Sequence, residues 1–243
     1  MMRPAIQRTI SAIPVKGSAP FAGLSHFTLT GATIMIHKLA VTIFLACIAF
    51  FSSAQQRSHI ADVAQNVTPL LNGMTAPDTT LQTPSGAPVS LKAILMNKPT
   101  LMLFYRGGWC PYCNQQLAEL KNIEQDLTEL GYQIVAVSPQ TPEQLQSQAL
   151  ESEFAAQLYI DPSLETLTGF GIAFYLDDET RKRYQEYGIS LTQDDNGKAV
   201  LPAPALFFLD SKGVIEFSYV NPDYKVRPSA ELVLSVAKVL KKM

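Results

Sequence analysis

The sequence has little charge, few cysteines and no surplus of basic residues. Charged residues occupy 16% of the 243 positions, and 19 Lys+Arg against 21 Asp+Glu give a formal net charge of −2. Nucleic-acid binding is therefore not expected, because lysine and arginine neutralise the phosphate backbone. The hydrophobic content of 47% excludes a fully disordered chain and is enough for a packed core. Three cysteines are too few for a disulfide-stapled scaffold but sufficient for a redox site.

Acidic residues are absent from the first part of the chain. Residues 1–54 carry only basic charges, and all the acids come later. Leu39 to Phe51 is apolar except for Thr42, and small residues follow at 52–54. Such a run spans about 20 Å as a helix, which is less than the ~30 Å hydrocarbon core of a bilayer. A basic start, a short apolar middle and a small-residue end are typical of a secretory signal peptide.

We therefore predict a signal peptide over residues 35–54 and an exported, periplasmic or otherwise extracytoplasmic protein. Residues 1–34 are then an upstream extension or a mis-assigned start. The alternatives are an uncleaved membrane anchor and, less favoured, a lipoprotein signal ending at Cys47, which lies inside the apolar run. N-terminal sequencing of the mature protein distinguishes them, since cleavage is expected at or near Gln55.

Beyond a predicted linker at 55–66, residues 67–243 have the pattern of one α/β domain. Turn-forming residues between Pro69 and Pro88 predict a hairpin-like start. A buried strand at Thr100–Tyr105, an amphipathic helix at Asn114–Leu130 and a second strand at Tyr132–Val137 follow. Strand, helix and strand in this order predict two parallel strands with the helix packed across them.

The second half continues the alternation less regularly. The charged and aromatic stretch Tyr175–Gly188, with its basic triplet at 181–183, is interpreted as a solvated surface insertion. The other predicted elements are helices at Pro142–Glu151, Ser163–Gly169 and Ser229–Lys242, and strands at Leu158–Ile160, Ala205–Leu209 and Val214–Tyr219.

The chemistry is concentrated in Trp109-Cys110-Pro111-Tyr112-Cys113, between the first buried strand and the amphipathic helix. Proline suits the first position of a helix, which makes Cys110 the N-cap residue. The sulfur there is expected to accept hydrogen bonds from the free amides of the first turn and to face the positive end of the helix dipole. The pKa of Cys110 should then fall below the free value of ~8.5.

Cys113 follows Cys110 by nearly one helical turn, so both sulfurs face one side of the helix. Their Cα atoms are expected about 5–6 Å apart, within reach of a disulfide. We predict a redox couple of one exposed nucleophile and one buried resolving cysteine. The alternatives are half of a zinc site, which lacks further ligands beyond His59, and a structural disulfide, which gains little entropy over so short a loop.

These motifs resemble the thioredoxin superfamily and, within it, the peroxiredoxin-like branch of the alkyl hydroperoxide reductase/thiol-specific antioxidant (redoxin) family. The resemblance covers roughly Pro69 to the C-terminus. It rests on Asn72–Asp78, Ser85–Leu91, Phe104–Asn114, Leu201–Asp210 and Val226–Ser229.

The resemblance implies a thioredoxin-like fold, with a central mixed sheet flanked by helices and an N-terminal hairpin extension. It also places Pro204 in a cis peptide bond beside the sulfurs and gives Arg227 the role of assisting Cys110. Arg106 is a weaker candidate for that role, and Trp109 and Pro111 are supporting residues. One departure stands out: peroxiredoxins carry a threonine or serine three residues before the nucleophile and a proline four before that, where this chain has Gly107 and Leu103.

The resemblance favours a peroxidase that reduces hydroperoxides through Cys110 and Cys113 and is regenerated by thioredoxin or a similar dithiol, without a metal, nucleotide or haem cofactor. The Cys-Pro-Tyr-Cys motif itself is more similar to thioredoxin and glutaredoxin active sites. A thiol-disulfide oxidoreductase acting on protein disulfides is therefore the first alternative, and a redox-inert binding module is the second.

Overall fold

The structure, a computed structural model, describes residues 59–96, 98–145 and 156–242. The predicted signal peptide at 35–54, residues 1–34 and positions 146–151 of the predicted helix at 142–151 lie outside this part of the chain. Residues 142–145 are helical. Among the described helices, none has both the length and the hydrophobicity needed to cross a bilayer.

A seven-stranded mixed sheet forms the centre of the domain. Its strands are β1 (Thr80–Gln82), β2 (Pro88–Ser90), β3 (Thr100–Phe104), β4 (Gln133–Ser138), β5 (Gln157–Ile160), β8 (Ala205–Leu209) and β9 (Ile215–Val220). Their spatial order is β2-β1-β5-β4-β3-β8-β9. Strands β3, β4 and β5 run parallel to one another, and the remaining pairs are antiparallel. The predicted mixed α/β sheet is thereby confirmed.

The helices are α1 (Leu91–Leu95), α2 (Pro111–Lys121), α3 (Glu124–Glu129), α4 (Glu165–Gly169), α5 (Asp178–Glu186) and α6 (Ala230–Leu240). The single helix predicted at 114–130 is wrong, because α2 and α3 are separated at Asn122 and Ile123. Both residues donate their amides to carbonyls three positions back, and Ile123 then leaves helical dihedrals, with φ −113° and ψ 9°. The apolar side stays on one face, so Leu120 and Leu127 are both buried.

The predicted hairpin at the start of the domain is present. Strands β1 and β2 pair antiparallel, with Thr80 opposite Ser90 and Gln82 opposite Pro88. Gln82 also pairs with Ile160 of β5, so the hairpin extends one edge of the central sheet.

Part of the predicted linker at 55–66 is packed against the domain. Ala61 is only 2% exposed, donates its amide to the carbonyl of Ala173 at 3.0 Å and pairs with Phe174. Residues 64–66 form a short 3₁₀ helix. In the described residues 59–66, backbone pairing thus holds a segment that has no strong apolar pattern, and the assignment of 55–66 as a linker stays a prediction.

A separate two-stranded sheet, which the sequence did not predict, consists of β6 (Ala173–Tyr175) and β7 (Val200–Pro202) paired antiparallel. Three-residue strands are too short to show a periodic pattern. The two strands bracket residues 176–199, so they close the base of the predicted surface insertion. Helix α5 lies within this insertion, and none of its residues is fully buried.

Apolar side chains cover both faces of the central sheet. Along β3, Leu101 and Leu103 belong to one apolar cluster, whereas Met102 and Phe104 belong to the cluster on the other face. Such alternation is what the period of a strand requires. Cys110 and Cys113 pack in the same cluster as Leu101 and Leu103, which fixes the face of the sheet on which the site lies.

Candidate active site

The cysteine pair lies where the chain leaves β3 and begins α2. Cys110 has extended dihedrals at the N-cap and Pro111 is the first helical residue, as predicted. The carbonyl of Cys110 accepts hydrogen bonds from the amides of Cys113 and Asn114, at 3.0 and 3.1 Å. These bonds start the helix and bring the side chain of Cys113 back towards that of Cys110.

The predicted effect of the helix start on Cys110 is present only in part. The Cys113 amide lowers the pKa of Cys110, but it donates to the Cys110 carbonyl and no side-chain cap forms. The predicted exposure of the nucleophile is wrong. Neither cysteine is exposed: Cys110 is 1% and Cys113 0% accessible. Trp109 packs against the apolar cluster that contains both cysteines, at a position that the sequence pattern places at an exposed helix end.

The two thiols are nevertheless strongly differentiated. A hydrogen bond from the Cys113 thiol is the largest influence that lowers the pKa of Cys110, which falls to about 6. Burial opposes this effect, whereas the Cys113 amide and the guanidinium groups of Arg106 and Arg227 reinforce it. The same hydrogen bond, together with burial, raises the pKa of Cys113 far above its usual range. Near neutral pH the pair therefore holds one thiolate and one thiol.

Arg227 reaches the pair from the segment between β9 and α6. Its Nη2 atom lies 3.5 Å from the Sγ atom of Cys113, so its direct contact is with the second cysteine and not with Cys110. The charge of Arg227 lowers the pKa of Cys110 less than that of Arg106 does. The resemblance ranked Arg227 above Arg106, but Arg106 has the larger effect on the pKa of Cys110.

Arg106 is a buried cation in a cage of aromatic rings. It lies two residues beyond the end of β3, and it is 4% exposed. The guanidinium carbon lies 5.0 Å from the ring centroid of Trp109, 5.5 Å from that of Tyr184 and 4.3 Å from that of Tyr224. Nη2 donates a hydrogen bond of 2.6 Å to the Tyr184 hydroxyl. Among the described residues, no carboxylate forms a salt bridge with Arg106, and its Nε atom has no hydrogen-bond partner.

Trp109 explains why the chain has glycine at position 107. A Cβ atom on Gly107 would lie 2.5 Å from Nε1 of Trp109, and the backbone there has φ +143°. The space that a threonine or serine side chain would occupy is thus filled by the indole. The absent hydroxyl is a consequence of how this loop is packed.

We expect Gly107→Ala to lower the free energy of unfolding by about 1–3 kcal/mol, because alanine resists this φ and its methyl group displaces Trp109. Trp109 is the only tryptophan of the chain, so its fluorescence reports the displacement directly. Gly73→Ala is the matched control: Gly73 also has positive φ, but its Cβ would meet nothing within 4 Å. Equal emission spectra for the two variants would contradict the steric explanation.

Gln140 and Asn114 hold the loop before Cys110, and the sequence analysis missed both. The side-chain oxygen of Gln140 accepts hydrogen bonds from the Gly108 amide at 3.2 Å and the Ser138 hydroxyl at 3.0 Å. Asn114 donates its side-chain amide to the carbonyl of Gly108 at 2.7 Å. The position of Gln140 just beyond β4 is a usable signal, because β3 and β4 are parallel and end at the same edge of the sheet.

Pro204 lies at this edge but not in the predicted conformation. It directly precedes β8, whose first residue, Ala205, is opposite Phe104 at the end of β3. Its carbonyl accepts a hydrogen bond from the amide of Asn221 at 3.2 Å. The described residues contain no cis peptide bond, so the predicted cis Pro204 is wrong in this structure. A cis bond cannot be read from local sequence, because most X–Pro bonds in folded proteins are trans.

Tyr184 is the least expected neighbour of the site. It belongs to α5 in the predicted surface insertion, and its ring packs edge-on against Trp109 with centroids 5.2 Å apart. The basic triplet beside it does face solvent in part, with Arg183 paired to Glu179 at 2.9 Å.

Within the described ranges, no group of three His, Cys, Asp or Glu side chains is arranged to hold a metal ion.

Solved structures of peroxiredoxins have a similar fold. The reduced Prx3 of Vibrio vulnificus matches with a TM-score of 0.57 and 16% identity over 70% of this chain and 99% of that chain. Peroxidoxin BcpB of Mycobacterium tuberculosis matches with a TM-score of 0.54 and 17% identity, covering 70% of this chain and 96% of the other. The chain therefore has a thioredoxin-like fold.

The family model described as AhpC/TSA matches residues 73–218, more than half of the chain, and the chain belongs to this family. It is 32% identical over 104 residues to a Mycobacterium tuberculosis protein described as a candidate peroxiredoxin, covering 43% of this chain and 66% of that protein. It is also 30% identical over 95 residues to the prostamide/prostaglandin F synthase of Salmo salar, covering 39% of this chain and 47% of that protein. The chain thus spans about half to two thirds of these relatives.

Proposed function

We propose that this protein is a thiol peroxidase that uses Cys110 and Cys113 as its redox couple. Membership of the AhpC/TSA family supports the class of reaction. The observation that carries the assignment of residues is the pair itself, in which the pKa of Cys110 is lowered to about 6 beside a protonated Cys113. A thiolate is the form of cysteine that attacks peroxides and disulfides.

The proposed reaction has three steps. The Cys110 thiolate attacks one peroxide oxygen and breaks the O–O bond, which leaves a sulfenic acid on Cys110 and releases an alkoxide or hydroxide that takes up a proton. The Cys113 thiol then displaces the sulfenic hydroxyl group as water and forms the Cys110–Cys113 disulfide. Finally, a thioredoxin-like dithiol donates two electrons and two protons, becomes a disulfide itself and restores both thiols.

Arg106 and Arg227 support the first step as charges, because both favour the thiolate form of Cys110. Pro111 and Trp109 support it by position. Pro111 starts the helix, and Trp109 fills the space that a side chain at position 107 would occupy. The signal-peptide pattern at 35–54 supports the further proposal that the protein is exported, so that its reductant is an extracytoplasmic dithiol protein.

Thiol-disulfide exchange on protein substrates is the second candidate, favoured by the Cys-Pro-Tyr-Cys motif and by the absence of a side chain at Gly107. The two candidates separate in parallel assays of hydrogen peroxide consumption with thioredoxin and of insulin disulfide reduction. We expect fast peroxide consumption, which Cys110→Ser abolishes. Insulin reduction without peroxide consumption would select disulfide exchange. Silence in both assays, or equal activity in Cys110→Ser, would refute the catalytic assignment and favour a binding module.

A further inference from the structure

Three aromatic side chains from distant parts of the chain meet around Arg106, next to the cysteine pair. Trp109 precedes Cys110, Tyr184 comes from α5 in the insertion, and Tyr224 comes from the loop after β9. All three rings surround the guanidinium of Arg106. We call these three rings and Arg106 the aromatic cover. Both cysteines have almost no accessible surface in this arrangement.

Helix α5 has few side-chain contacts that hold it in place. None of its residues is fully buried, and the salt bridges that it forms with other described residues lie within the helix, Arg181 to Asp178 and Arg183 to Glu179. Tyr184 is its link to the active site, through the ring contact with Trp109 and the hydrogen bond from Arg106. The insertion returns to the domain later, where the hydroxyl of Thr192 donates to the carbonyl of Pro139.

The partners of this site differ greatly in size. A hydroperoxide needs only a small opening to reach Cys110, whereas a protein dithiol or disulfide must bring a sulfur and its surrounding backbone into contact with the pair. A segment with few buried contacts opens locally at low free-energy cost. The Nε atom of the buried Arg106 has no hydrogen-bond partner among the described residues, which makes the closed arrangement less favourable still.

We propose that Tyr184 is a specificity-determining residue, which closes the cysteine pair to macromolecular partners while hydroperoxides still reach it. A protein dithiol then reacts only after α5 carries Tyr184 away from Trp109 and Arg106. This inference deepens the proposed function and rests on it for the identity of the small substrate. The closure itself is testable without any catalytic turnover.

The test compares how fast reduced Cys110 is alkylated by iodoacetamide and by a polyethylene-glycol maleimide. In the wild-type protein, the bulky reagent should be retarded far more than it is on an unfolded control. Tyr184→Ala should raise the ratio of bulky to small reagent rates by about tenfold or more, as expected for losing a hydrogen bond to a charged group together with ring contacts. The ratio cancels any change in the thiolate fraction of Cys110, because both reagents attack the thiolate.

Two further variants separate the contributions. Tyr184→Phe keeps the ring on Trp109 and loses only the hydroxyl, so its ratio should lie between those of wild type and Tyr184→Ala. Tyr187→Ala is the matched control, since Tyr187 ends the same helix and is 72% exposed. Its ratio should equal that of the wild type. Acrylamide quenching of Trp109, the single tryptophan, should increase in Tyr184→Ala in parallel with the ratio.

The proposal would be overturned if the bulky reagent reacted with the wild-type protein as readily, relative to iodoacetamide, as with the unfolded control. This measurement does not depend on any variant. An unchanged ratio in Tyr184→Ala, or an equal change in Tyr187→Ala, would also overturn it. Failure of the peroxidase assay alone would refute the proposed function and leave the access measurements to be judged separately.

Discussion

Cys113→Ser is expected to consume a single equivalent of hydrogen peroxide and then stop, in contrast to the many turnovers of the wild-type protein. Oxidation of Cys110 to sulfenic acid needs only the thiolate. Loss of the sulfenic hydroxyl group as water needs a second thiol. Cys113 is the only other described cysteine, and it lies on the same helical turn. Dimedone should therefore label Cys110 after the single turnover, and mass spectrometry locates the adduct.

Cys113→Ala provides the matched comparison. Serine keeps a hydroxyl that can donate to the Cys110 thiolate, but alanine removes the hydrogen bond that most lowers the pKa of Cys110. The pKa of Cys110 should thus rise by about one unit or more in Cys113→Ala relative to Cys113→Ser. Continued turnover of Cys113→Ser with thioredoxin would contradict the role of Cys113, because it would mean that a thiol from outside the pair resolves the sulfenic acid.

Arg106→Met is expected to raise the pKa of Cys110 by about one unit or more without lowering the stability of the fold. The first effect follows from removing a positive charge near the thiolate. The second follows from the burial of that charge without a carboxylate among the described residues, since a buried cation is costly and methionine fills a similar space among the rings. In Arg106→Met, the pKa of Cys110 should therefore rise, while the free energy of unfolding should not fall.

The titration is followed by the ultraviolet absorbance of the thiolate, with Cys110→Ser as baseline. In the wild-type protein, the thiolate should disappear as the pH falls through about 6, and the rate of peroxide reduction should fall with it. In Arg106→Met the same loss should occur at higher pH. Arg106→Lys keeps the charge and should titrate closer to the wild type. Coincident curves for Arg106→Met and wild type would show that Arg106 does not stabilise the thiolate.

Stability should depend on pH in the same range. The pKa of Cys110 is about 6 in the folded protein, whereas an unfolded cysteine has a value of ~8.5. Between these two pH values the unfolded chain binds more protons than the folded one, so the free energy of unfolding rises with pH. This contribution is lost as the pH falls through about 6. It should be absent from Cys110→Ser, which isolates it from other titrating groups.

Local sequence was sufficient for the elements whose side chains repeat regularly. The continuous apolar run of β3 and the pairing signal of β8 and β9 match the structure to within one or two residues. Cys110 as N-cap and Pro111 as first helical residue follow from the fixed φ and missing amide of proline, which are properties of the residue itself. The break between α2 and α3 was not predictable from periodicity, because the apolar face continues through it.

The residues around the cysteines show why the rest was out of reach. Arg106 and Tyr184 are 78 positions apart in the chain and form a hydrogen bond of 2.6 Å. Nothing in the charged, aromatic stretch around Tyr184 distinguishes a solvent-facing ring from one that packs on Trp109. The motif suggested an exposed cysteine, but Cys110 is buried. Its burial also depends on packing that the local sequence does not show.

The sequence by itself determined the α/β class, the start of the helix at the cysteines and the chemistry available there, because strand periodicity, proline geometry and thiol reactivity are local properties. Only the tertiary structure decided which contact lowers the pKa of Cys110 most, which arginine acts on it more strongly, and how deeply both cysteines are buried. Those outcomes depend on burial and on distances between residues far apart in the chain, and both arise only when the insertion and the loop after β9 pack around β3.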